Sequence, residues 1–164
     1  LVTGADMKVK VTKGTDGSLD SIFAKYLALE EMQVEAGFIT HKKHPETGID
    51  MVELATIQQY GSVTKNIPER PFMTDGFVLS QNEIKKELPG AIHRYLKGTS
   101  LNVALKPIAE ISKESIVKAI KMQRFTPLSP TTIKKRREKG NNSTTILIDT
   151  SYMINNIETK ISKK

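Results

Sequence analysis

A chain of 164 residues with 38% hydrophobic content and a mean hydropathy of −0.33 can bury a real core as one domain, and no apolar run approaches the roughly 18 residues of a membrane span. It has no cysteine, which excludes disulfides and thiolate chemistry and suits a reducing cytoplasm. The formal net charge of +7 sits in one place: residues 1–112 hold 13 Lys/Arg against 14 Asp/Glu, residues 113–139 hold 9 against 2, and residues 140–164 hold 3 against 2. A charge so concentrated creates a local field that attracts an acidic partner or nucleic acid.

The chain begins with Leu1, and the first natural-looking start is Met7. Residues 1–6 therefore read as an added remnant, and residues 7–164 as the domain. No signal-peptide pattern opens it. Alternation over Met7–Thr12 predicts a half-buried strand, followed by a turn at Gly14–Gly17. Ser18 or Asp20 caps a predicted helix to about Glu31, with Ile22, Phe23, Tyr26, Leu27 and Leu29 at helical spacing. Met32–Ile39 reads as a second strand and His41–Gly48 as a polar loop. Asp50 then caps a helix whose apolar positions are Met51, Leu54, Ala55 and Ile57.

Between that helix and the next lies Gly61-Ser-Val-Thr-Lys-Asn-Ile-Pro-Glu-Arg-Pro-Phe-Met73. Pro68 and Pro71 fix φ at their own positions and bias Ile67 and Arg70 toward extended geometry. A loop this stiff either presents a contact or braces two helices at one angle, so Ile67, Pro68, Arg70, Pro71 and Phe72 are the candidate protein-interface residues. Burial of Arg70 and Phe72 in their own subunit would favour the brace.

A long helix is expected over roughly 73–97, kinked or broken at Pro89-Gly90, and another over about 101–122, capped by Ser100 and bent or delayed by Pro107. Thr126–Pro130 is a loop. Ser129 or Thr131 starts a short basic helix, and Gly140–Thr145 has a flexible composition, so a mobile basic segment is expected over about 126–146. Lys134, Lys135, Arg136, Arg137 and Lys139 are the candidates to face DNA or an acidic partner. Aromatic residues are only 5% of the chain and Trp is absent, so contact with nucleic acid would be by charge rather than base readout. Asp149 reads as a structural cap for a short helix, and Ile154–Ile161 as a closing strand. The predicted class is α+β: one domain with a small antiparallel or mixed sheet packed with two or three long helices.

No catalytic, cofactor-binding or metal-binding residues are nominated. P-loop, dinucleotide and nucleophile-elbow patterns are missing, as is a paired His-Glu-x-x-His. His41 and His44 share a loop with Glu46 and Asp50, but beside Lys42 and Lys43 they read as solvated; His93 reads as a surface residue.

Four segments in order carry a resemblance: Ala55-Thr-Ile57 with Tyr60-Gly61, Ile67-Pro-Glu-Arg-Pro-Phe72, Leu128-Ser-Pro-Thr-Thr-Ile133 with its basic run, and Leu147-Ile-Asp-Thr150. Together, over about residues 32–160, the chain resembles the tail-completion and virion-morphogenesis proteins of long-tailed bacteriophages. The resemblance implies a structural virion component at the head–tail junction and no enzyme. It implies a homo-oligomeric ring around the DNA channel, between a head-side connector and the tail terminator or tube. Assembly would occur in the host cytoplasm, with non-specific contact to packaged DNA and no cofactor or membrane. The chain departs from the pattern at Ser151, where glycine is usual, and at Ile154, where a polar or basic residue is common. The alternative is a small basic nucleic-acid-binding protein that uses residues 113–139.

Overall fold

The computed structural model describes residues 19–149 and 151–164. Helix α1 spans Leu19–Glu30, strand β1 Met32–Gly37, α2 Met51–Tyr60, α3 Phe72–Leu96, α4 Leu101–Lys121, α5 Pro130–Glu138, α6 Tyr152–Asn155 and β2 Glu158–Lys163. The strand and turn expected over 7–17 lie outside the described residues.

The framework is the pair of long helices. Gly76 on α3 and Ile116 on α4 touch backbone to backbone: a Cβ on Gly76 would lie 2.6 Å from Ile116 Cα. At the other end of the pair, Ala91 of α3 packs with Leu105 and Ile108 of α4. α3 runs unbroken through Pro89, and α4 through Pro107, contrary to the expected break and delayed start. Each proline removes one backbone bond to the carbonyl four residues earlier. Pro89 and Lys85 are exposed, as is Val103 before Pro107, so both lost bonds fall where water has access.

β1 and β2 pair antiparallel, with Val34 opposite Ile161 and Gly37 opposite Glu158, and this two-stranded sheet packs on α4. A two-stranded sheet has little stability alone and relies on such a helix. Two clusters make the core. The larger gathers Met51, Phe72, Ile116, Ile120, Leu147, Met153 and Ile157. The smaller joins Ala91, Leu105 and Ile108 to Leu29 of α1 and to Val34 and Ile161 of the sheet. The expected class, an α+β single domain with a small sheet against long helices, is what the fold is.

The closing strand begins later than expected, because Tyr152–Asn155 forms one helical turn before it. Ser151 stands at φ 60°, ψ 5°, so the left-handed conformation that favours glycine is kept with a serine in it.

Candidate interaction surfaces

The proline loop is built from its first residue. Gly61 ends α2 at φ 72°, where a Cβ would lie 2.7 Å from the Ile67 carbonyl oxygen and 2.8 Å from the Glu69 nitrogen, so the chain can fold back only with glycine here. Ser62 and Ile67 then exchange backbone hydrogen bonds at 2.8 and 2.9 Å, closing a small turn whose tip is residues 63–66. Val63, on that tip, is 99% exposed.

Past Pro68 the chain returns to its own subunit. The Arg70 backbone N–H donates to the Gln58 carbonyl at 2.8 Å, and Arg70 Nη1 donates to Gln58 Oε1 at 2.6 Å. Arg70 is 6% exposed and Phe72 0%. Phe72 packs edge-on against Phe38, with ring centroids 6.3 Å apart. Phe72 is therefore an internal bracing residue, and Arg70 braces the loop through its two bonds to Gln58. Ile67, Pro68 and Pro71 are half-buried beside them. The exposed large apolar side chains at the loop are Val63 and neighbouring Tyr60, neither of which was an interface candidate; a lone valine in a Gly-Ser-Val-Thr-Lys-Asn turn was the available signal.

α5 begins as expected, with the Ser129 hydroxyl accepting from the Thr132 N–H and Pro130 in the first turn. Its basic residues then divide. Lys134, Lys135 and Arg137 are exposed. Arg136 is 8% exposed and faces inward: Nη1 donates to the carbonyls of Ser143, Thr145 and Ile148, at 2.8 Å for Thr145, and Nε lies 3.3 Å from Asp149 Oδ1. Arg136 is thus corrected from a DNA-facing residue to a structural one. Lys139 is exposed and pairs with Glu46 at 2.9 Å, which raises the lysine's pKa and lowers the carboxylate's through the same hydrogen bond.

Asp149 is also corrected. The residue at the N-cap of α6 is Ser151, without a side-chain cap bond, while Asp149 receives Arg136 and the Asn141 side-chain amide. The stretch expected to be mobile is tied down over its C-terminal part. Arg136 holds Ser143 and Thr145, and Gln123 pairs its side-chain amide with the backbone of Ile146, accepting at 2.6 Å and donating at 2.9 Å.

Five exposed apolar side chains lie together on α1. Leu19, Ile22, Phe23, Tyr26 and Leu27 recur at helical spacing and all face solvent, with Leu19 at 68%, Phe23 at 58% and Leu27 at 61% exposure. One flank of the helix attaches to the domain through Leu29 and through Lys25 Nζ, which donates to the Leu96 carbonyl at 3.1 Å. Sequence reading found this helical spacing; that no described residue covers the face is new. On α3, Phe77 and Val78 are also exposed.

His41 Nδ1 lies 3.0 Å from Asp50 Oδ2, and Asp50 also caps α2 by accepting from Val52 and Glu53. His44 packs edge-on against Tyr152, and His93 is exposed. Among the described residues no group of three or more His, Cys, Asp or Glu side chains is placed to hold a metal ion, and no described helix is long and apolar enough to cross a membrane. Comparison with protein-family models, curated proteins and solved structures finds no match to this chain.

Proposed function

We propose that this chain is a non-enzymatic assembly subunit: a virion protein of the phage neck that forms a ring with copies of itself around the DNA channel and joins a head-side connector to the tail terminator or tube. The observation that carries this reading is the uncovered apolar face of α1. A five-residue apolar stripe that no described residue covers, on a helix already docked along its flank, is the kind of surface that takes a protein partner. The ordered motifs from Ala55 to Thr150 supply the virion context. In that setting the exposed Lys134, Lys135 and Arg137 of α5 would meet DNA or an acidic neighbouring ring.

The test is Phe23→Asp with Leu27→Asp in the producing phage. Both side chains are more than half exposed, so the fold is expected to survive, as circular dichroism of the purified variant would report. The expected result is normal protein abundance with separate heads and tails and a loss of infectious particles. Normal joining of heads to tails by the double variant would sink the proposal.

The nucleic-acid-binding alternative, which uses residues 113–139, is supported by the exposed cations of that segment: Lys118, Lys121, Arg124, Lys134, Lys135, Arg137 and Lys139. Phosphate contact through Lys134, Lys135 and Arg137 alone gives a log–log salt slope of roughly −2.7. Binding of duplex DNA by the isolated chain with a much steeper slope would favour the alternative, whereas weak binding with this slope or less fits an assembly subunit.

A further inference from the structure

The turn at Ile67–Arg70 and the loop at Thr126–Ser129 flank a cleft of about 910 Å³ that both Arg70 and Arg136 line. The chain treats the two arginines unequally. Arg136 is satisfied by three carbonyls and by Asp149. Arg70 gives Nη1 to the neutral amide of Gln58, forms no ion pair among the described residues, and leaves its solvent-shielded Nε without any hydrogen-bond partner. A buried guanidinium without a counter-charge is costly, and an unsatisfied N–H on it adds to that cost. The acidic groups around the cleft do not relieve it. Glu46 is engaged by Lys139 and Asp149 by Arg136, while Glu69 stands exposed and forms no ion pair among the described residues.

The geometry points to a carboxylate-binding site at Arg70, occupied by an acidic side chain on an extended segment of a neighbouring protein. A guanidinium presents parallel N–H groups that fit the two oxygens of a carboxylate, and the orphaned Nε is one half of such a fork. Because Nε is shielded from solvent, an incoming carboxylate reaches it when the surrounding side chains shift, an ordinary change on binding. The volume suits several side chains rather than one ion. Leu54, Leu128, Leu147 and Met153 line the same cleft, so apolar residues flanking the acid find contacts there. Nucleic acid fits less well. Of the exposed cations of the basic run, Lys134, Lys135 and Arg137 lie outside this lining, and Lys139, which is in it, is engaged by Glu46. Burial, and after it the positive charge of Arg136, lowers the pKa of Arg70, and an incoming carboxylate supplies the missing counter-charge. The site does not depend on the virion reading: any acidic partner segment would use it.

The experiment follows the arginine Nε–H resonances of the full chain by NMR, with Arg70 assigned by the signal lost in Arg70→Lys. The probes are the capped peptide acetyl-Leu-Asp-Leu-amide, its Asn counterpart, inorganic phosphate and a single-stranded oligonucleotide. The expected result is a saturable shift of the Arg70 signal with the Asp peptide and roughly tenfold weaker binding of the Asn peptide. Arg70→Lys keeps the charge but not the fork, and is expected to bind the Asp peptide several-fold more weakly with its overall spectrum unchanged. If that variant does not fold, Gln58→Ala, which frees Nη1 as well, is expected to retain the Asp-peptide shift. No saturable shift with the Asp peptide, equal binding of both peptides, or tighter binding of phosphate or oligonucleotide would each overturn the assignment.

Discussion

Gln59 on α2 closes the first turn of α3: its side-chain oxygen accepts the Met73 backbone N–H at 2.9 Å, and its amide donates to Thr74 Oγ1 at 2.8 Å. The position that normally supplies a cap is Pro71, which has no side-chain acceptor to offer. Gln59 fills that role from another helix while its neighbour Gln58 holds Arg70. Two adjacent glutamines thus fix the proline loop between α2 and α3. This is why the loop acts as a brace.

Replacing Gln59, which is itself buried, with leucine removes the acceptor and leaves the Met73 N–H without it. The expected cost is about 1–3 kcal/mol, read as a lower urea midpoint at unchanged slope. A variant as stable as the parent would mean that Gln59 does not cap α3.

The closest approach of α3 and α4 makes opposite predictions for two glycines on one helix. Gly76→Ala places a methyl group 2.6 Å from Ile116 Cα, so the helices must part, at about 1–3 kcal/mol or more. At Gly90 the nearest atom to a new Cβ is the mobile Arg94 Nη1 at 3.4 Å, and alanine is the better helix former there by about 0.5–1 kcal/mol. Thermal unfolding of the two variants is therefore expected to shift in opposite directions.

Local features were legible in the sequence because their causes are local. Asp50 and Ser129 cap the helices they precede, and β1 starts at Met32 as its alternation indicated. What was not legible depended on segments far apart in the chain. Within Lys-Lys-Arg-Arg nothing distinguishes Arg136 from Arg137 until the carbonyls of Ser143, Thr145 and Ile148 arrive around it. Helical period identifies an apolar face on α1 but is silent on whether anything covers it. Neither proline breaks its helix, for a related reason: a lost backbone bond does so only where water or packing does not compensate.

Ser151 provides a test of backbone strain. A left-handed residue with a Cβ costs roughly 1–2 kcal/mol, partly offset in a Ser→Gly change by the greater freedom glycine has when unfolded. Ser151→Gly is expected to stabilise the fold by about 0.5–1 kcal/mol. Chemical denaturation would measure it, and a destabilised variant would mean the serine hydroxyl contributes more than the backbone loses.

Glu158, the first residue of β2, ties the end of β1 to the loop after it: it accepts from Lys42 Nζ, the Thr40 hydroxyl and the Thr40 backbone N–H. Those bonds, that from Lys42 first, hold its carboxyl at about 2, well below its ordinary 4.5. A carboxyl whose folded pKa lies below its unfolded value contributes stability that is complete above the unfolded value and is lost as pH falls through the folded one. Glu158→Gln is therefore expected to be less stable than the parent at pH 7, with the difference closing between about pH 4.5 and about 2. Because the group is close to solvent, the effect at pH 7 is at most about 1 kcal/mol and shrinks with added salt. Melting temperatures of parent and variant across that range, at low and high salt, measure it. A gap that persists unchanged to pH 2 would show that Glu158 acts by packing and not by its charge.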